Sequence, residues 1–140
     1  MSLRVVIYDY VEENEGDGPL RNFIADWMET IGVRPKAKIN GILKNLSETP
    51  PEEWHKTKAA EKLKGQDDLW EIKAFASNVQ WRPIGVFGPG QGTFTILAGA
   101  KEIGRKLLPL TVLKIAQRRK ANLQNDPPRH RRHHVNQQAK

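Results

Sequence analysis

The period of the hydrophobic positions changes several times along this chain, and each change marks an element. Arg4 to Tyr10 alternates and is rich in β-branched and aromatic residues (Val5, Val6, Ile7, Tyr8), which predicts a first strand. Glu12 to Gly18 then reads as an acidic, glycine-containing loop. Pro19 suits the first turn of a helix, and Leu20, Phe23, Ile24, Trp27, Met28 and Ile31 follow it at spacings of three and four. Gly32 supplies the stop. A second helix begins near Arg34-Pro35, with Ile39, Ile42, Leu43 and Leu46 as its buried stripe and Lys36, Lys38 and Lys44 off that stripe. The pair predicts an antiparallel helical hairpin, ended at Thr49-Pro50-Pro51 because proline cannot continue a helix.

Residues 50–57 read as a loop and Lys58 to Lys64 as a short helical or irregular lead-in. Leu69 to Phe75, Val79 to Phe87 and Thr93 to Ala100 then predict three strands of an antiparallel meander. Ser77-Asn78 and Gly88-Pro89-Gly90-Gln91-Gly92 supply the turns. Pro83 lacks an N–H, so its strand is expected to carry it at an edge or a bulge. Pro109 opens a last helix, with Leu110, Leu113, Ala116 and Leu123 inward and Lys114, Arg118, Arg119 and Lys120 outward. Beyond Asp126-Pro127-Pro128 no apolar period continues. The expectation is one α+β domain over residues 1–124 and a basic His/Arg-rich tail over 125–140, mobile or docked on a partner.

Composition narrows the class. With 140 residues and 38% hydrophobic content the chain can bury one compact core, and without cysteine it has neither disulfide nor thiolate chemistry. The sequence contains no run of about 18 apolar residues and no basic segment leading into an apolar one. A cytoplasmic chain with no membrane partner is the expectation. The net charge of +7 is uneven: residues 1–33 carry two cations against seven acids, residues 34–117 fourteen against eight, and residues 118–140 seven against one. A basic middle and tail beside an acidic entry segment is the electrostatic footprint of a polyanion-binding protein.

Within that footprint, Lys62, Lys64, Lys73 and Arg82 fall along what reads as one hairpin. Bringing them together costs Coulomb repulsion that an anionic ligand relieves. Strand alternation puts Lys73 on one face with Leu69, Glu71 and Phe75, and puts Trp70, Ile72 and Ala74 on the other. Glu71 is therefore a neutralising partner in reach, and its ion pair with Lys73 or Arg82 is worth roughly 0.2–1 kcal/mol if exposed. Metal-free RNA cleavage needs a base for the ribose 2′-hydroxyl, cations for the pentacoordinate phosphate and an acid for the leaving oxygen.

Other candidates are weaker. The glycine-rich stretch 88–92 lacks the lysine and following helix of a phosphate loop, and a hairpin turn accounts for it. His55 falls in the proline-rich loop, and His130, His133 and His134 in the polar tail read as solvated, with no carboxylate or cysteine close by to complete a metal shell. Trp27 and Trp70 read as core, leaving Trp54 and Trp81 as the tryptophans available to stack on bases.

The order strand, helix, helix, three strands carries several short motifs. They are Asn22-Phe-Ile-Ala-Asp-Trp27, Lys36-Ala-Lys-Ile39, Lys62-Leu-Lys-Gly65 with Leu69-Trp-Glu-Ile-Lys73, and Trp81-Arg-Pro-Ile84. Over residues 3 to 122 the chain resembles the RelE/HigB superfamily of toxin–antitoxin toxins, in its phage-derived HigB-like branch. The resemblance implies a microbial-RNase-type α+β fold, mRNA on the ribosome as substrate, cleavage through the 2′-hydroxyl without a cofactor, and a cognate antitoxin as partner. It implies Lys64, Lys73 and Arg82 as the residues holding the scissile phosphate and Lys62 as assisting RNA binding, with Lys101 matching a basic run only loosely; Arg118 and Arg119 are further RNA-binding candidates. Lys73 stands where the family usually has arginine, Ile84-Gly85-Val86 replaces an aromatic continuation, and the C-terminal tyrosine of several members has no counterpart. The rival expectations are a noncatalytic module on the same fold that binds nucleic acid or an antitoxin, and a structural or regulatory phage protein.

Overall fold

A computed structural model describes residues 4–12, 20–123 and 129–133. The chain is α+β: strand β1 (Val6–Tyr10) leads to helices α1 (Phe23–Thr30) and α2 (Val33–Ser47), and a 3-10 helix spans Pro51–Lys56. The strands β2 (Ala60–Lys62), β3 (Trp70–Ile72), β4 (Ala74–Ala76), β5 (Val79–Phe87), β6 (Thr93–Ile103) and β7 (Lys106–Leu108) follow. Helix α3 (Val112–Asn122) and strand β8 (His130–Arg132) complete it. All eight strands belong to one sheet of order β2-β3-β5-β6-β1-β8, with β4 beside β5 and β7 beside β6. The meander is present within it, but the sheet is larger than three strands and a parallel N-terminal strand. β1 lies parallel to β6, while β8 closes its other side antiparallel.

Two apolar layers cover the sheet. One joins Val5, Ile7, Ile24, Met28, Ile39, Leu43, Leu46, Trp54, Ile72, Trp81 and Phe94, and so seats α1, α2 and the 3-10 helix. The other joins Leu69, Ile84, Leu97, Ala98, Ala100, Val112, Ala116 and Leu123 under α3. Trp54 is fully buried, with Nε1 donating to the carbonyls of Leu46 and Thr49, and Trp81 donates to the carbonyl of Ala76. Both tryptophans expected to stack on bases are thus core residues, because each indole N–H finds a carbonyl at a helix or strand end.

Local chemistry explains where the elements differ from expectation. Asn22 caps α1 by accepting from the N–H of Ala25, so the helix starts at Phe23; Pro19 lies outside the described residues. Residues 60–62, expected as helical or irregular, pair with β3 as a strand. β5 is interior, flanked by β3 and β4 on one side and β6 on the other, so Pro83 is not on an edge. Its missing N–H coincides with the break between β3 and β4 at Lys73, whose own N–H turns away to the carbonyl of Ala59. The bulge sits further on, between Ile84 and Gly85, where β6 holds Leu97 as its extra residue. Helix α3 begins at Val112 rather than Pro109 and buries Val112, Ala116, Arg119 and Leu123, leaving Leu110 exposed. The expected tail contributes β8, which docks on β1 of its own chain; residues 134–140 lie outside the described residues. Among the described residues no helix is long and apolar enough to cross a membrane.

Candidate functional site

The register of β2, β3 and β5 decides which cations share a face. Glu61 stands opposite Glu71 and Lys62 opposite Trp70. Side chains directly opposite in an antiparallel pair point the same way, so Glu61 and Glu71 occupy the α3 face, and Lys62 the α2 face with Trp70. Lys62 therefore does not join Arg82, and its nearest carboxylate is Asp68 at 3.8 Å. Lys101, opposite Trp81, likewise belongs to the α2 side, in a groove with Trp27, Ile31 and Pro109.

Arg82 and Lys73 do come together on the α3 face, and carboxylates come with them. Arg82 is 7% exposed, donates Nε to Glu102 at 3.0 Å, and stands 3.7 Å from Glu71. Its remaining nitrogens donate to the carbonyl of Trp81 and to Oε1 of Gln80. Lys73 pairs with Glu61. The hydrogen bond and charge of Lys73, with Lys64 and Arg82 behind them, hold the Glu61 carboxyl below its usual range. Burial pushes Glu71 above the usual range, against the opposing pull of Arg82 and Lys73. Lys64 is exposed on the loop after β2 and carries no ion pair among the described residues. The cationic hairpin is thus a mixed cluster of three carboxylates and three cations, in which Glu71 is mostly buried and its pKa is raised by that burial.

Sequence reading missed Glu61 because 58–64 did not read as a strand, and Glu102 because β6 runs past Ala100. Arg119, expected outward and on RNA, is inward. Its Nη1 donates to the carbonyl of Leu97 at 2.8 Å, and its guanidinium lies over the rings of Tyr10 and Phe23 at 5.5 and 4.5 Å. The bulge frees that carbonyl and the arginine takes it. Arg118 is exposed and pairs with Glu12 at 3.5 Å.

A second polar constellation lies across the sheet, between β1, α1, α2 and β8. Asp9, Asn40 and His133 are all buried. His133 places Nδ1 2.6 Å from Oδ1 of Asp9 and Nε2 2.8 Å from Oδ1 of Asn40. Asn22, whose oxygen caps α1, donates its amide to the other oxygen of Asp9. A cavity of about 270 Å³ opens beside them, with Glu29, Lys36 and Arg131 in its wall. Both His133 nitrogens are engaged, which makes this network an anchor between β1, α2 and the end of β8 rather than a free acid or base.

Compared with protein-family models, with curated proteins and with solved structures, the chain matches none of them.

Proposed function

We propose that this chain is a toxin of the RelE/HigB kind, a ribosome-dependent endoribonuclease that cleaves mRNA and is restrained by a cognate antitoxin. The observation that carries the reading is Glu71, a mostly buried carboxyl with a raised pKa set 3.7 Å from a buried arginine. Lys73 acts on it electrostatically, and Lys64 acts on the neighbouring Glu61. Burial that raises the pKa of Glu71 makes its carboxylate a stronger base toward the ribose 2′-hydroxyl. The order of strand, helix pair, antiparallel strands and last helix supports the family reading, with β2, β7 and β8 as additions to its meander.

In this reading Glu71 accepts the ribose 2′-hydroxyl proton as that oxygen attacks the adjacent phosphorus. The bond from phosphorus to the 5′-oxygen breaks, the 5′-oxygen takes a proton from the Lys64 ammonium or from water, and the ends left are a 2′,3′-cyclic phosphate and a 5′-hydroxyl. Lys64 and Lys73 stabilise the negative charge of the pentacoordinate phosphorus. Arg82 has its three guanidinium nitrogens committed to Glu102, Trp81 and Gln80 and acts through Glu71, holding it in place: it is a positioning residue. No metal or cofactor enters the scheme.

One observation favours a second reading, a noncatalytic nucleic-acid or antitoxin-binding module on the same fold. Every nitrogen of the Arg82 guanidinium already has a protein acceptor, as expected of a structural ion pair. Induced expression with primer-extension mapping of mRNA ends separates the two. New cleavage sites and growth arrest that vanish in Glu71→Gln and in Lys64→Ala support the nuclease; normal growth with no new ends in the wild type rejects it.

A further inference from the structure

We propose that the outward face of α2 docks the phosphate backbone of a nucleic-acid double helix. This goes beyond the nuclease reading and lies on the other side of the sheet from Glu71, so a null result in the cleavage experiment leaves it standing.

The case begins with what folding does not explain in α2. Its 15 residues include Arg34, Lys36, Lys38 and Lys44 and no acid. Lys44 sits in the last turn, where the helix dipole favours a cation, but Arg34 sits in the first turn, where the dipole opposes one. The N-cap is Gly32, with no side-chain cap bond to offset that. Lys36 meets Glu29 of α1, whereas among the described residues no carboxylate pairs with Arg34, Lys38 or Lys44.

Gly41 adds an independent observation. It stands mid-helix on the exposed side, and a Cβ built there meets nothing within 4 Å. Packing therefore does not require glycine, which weakens a helix interior. What a glycine does provide is bare backbone that a bulky ligand can approach closely. Arg34, Lys38, Gly41 and Asn45 fall at helical spacings of four, three and four, away from the buried Ile39, Leu43 and Leu46, and Lys44 flanks them. From Arg34 to Lys44 the cations span about 15 Å of helix, comparable to the width of a duplex groove at about 12 Å.

The same face selects the kind of polyanion. Trp27 and Trp54 turn into the core, so α2 presents no aromatic platform for unpaired bases, and recognition falls to the backbone. Beyond Val33 the exposed positions of α2 hold no large apolar side chain of the kind an interfacial membrane helix inserts.

The test uses the full chain and three fluorescein-labelled probes of one sequence: an RNA duplex, a DNA duplex and a single strand, each about 16 nucleotides long per strand. Anisotropy titrations from about 50 to 200 mM KCl give the slope of log affinity against log salt. The triple variant Arg34→Gln, Lys38→Gln, Lys44→Gln is expected to lower the duplex slope by about two to three, at a melting temperature equal to or above wild type. The pair Arg105→Gln, Lys106→Gln on the β6–β7 turn is expected to lower it by less than one. The two duplexes tell RNA from DNA as the source of the backbone. Equal losses from both variants, no loss from the triple, tighter α2-dependent binding of the single strand, or α2-dependent binding to phosphatidylserine vesicles in place of duplex would each overturn the proposal.

Discussion

Asp9 and His133, 124 residues apart in sequence, are joined by a buried 2.6 Å hydrogen bond. That contact ties the end of β8 to β1. His133 also reaches Asn40 of α2, so three elements meet at one imidazole. Replacing His133 with alanine leaves the buried Asp9 with the Asn22 amide but without the imidazole, a loss of about 1–3 kcal/mol. Urea unfolding should show that loss, and hydrogen exchange should show Tyr8 to Tyr10 losing protection. A mutant with unchanged protection there would mean that β8 holds without the anchor.

Gly99 and Trp27 form a second, steric dependence. A Cβ at residue 99 would stand 2.0 Å from the indole of Trp27, closer than atoms approach. Gly99→Ala should therefore destabilise the fold by about 1–3 kcal/mol, as overpacking does. Adding Trp27→Leu should recover part of that loss, making the double mutant less destabilised than the sum of the singles. Additive losses in denaturant titrations would contradict the contact.

Glu71 predicts a pH dependence with a definite sign. Its folded pKa is raised, so the folded state holds the proton more tightly than the unfolded chain. Its contribution favours folding at low pH and is lost as pH rises from the ordinary glutamate value through the raised one. Glu71→Gln should flatten that part of the stability profile. In the nuclease reading the wild-type rate should climb with pH through the same raised pKa, and the glutamine variant should have no such limb.

Gly41→Ala should stabilise the protein by about 1 kcal/mol, because nothing surrounds the new methyl and alanine is the better helix former. Thermal melts check this directly. A drop in melting temperature would mean that the α2 backbone at 41 has a packing role that the geometry does not contain.

Much of the architecture was legible because it rests on local period and punctuation. The stripe Ile39, Leu43 and Leu46 in α2, the turn at Ser77-Asn78 and the glycine-rich turn at 88–92 are each written in a few adjacent residues. What escaped depends on pairing between distant segments. Residues 60–62 become a strand because Ile72 and Glu71 lie opposite them, and His130 to Arg132 because β1 offers an open edge. The same holds for the site. Lys73 and Arg82 could be placed on one face from alternation, yet their neutralisation by Glu61 and Glu102 follows from register, and the inward turn of Arg119 follows from a carbonyl freed by a bulge. Three-residue strands carry too few positions to announce themselves.

The parallel pairing of β1 with β6 also governs the order of events when the chain is made. Val6 finds its place beside Thr93, and Tyr10 beside His130. During synthesis the first strand thus waits unpaired while the helical hairpin and five further strands emerge, and its second edge stays open until β8 appears. Contacts so distant in sequence slow folding, since loop closure must precede them. A polypeptide built this way acquires its complete sheet only after His130 to Arg132 have been made.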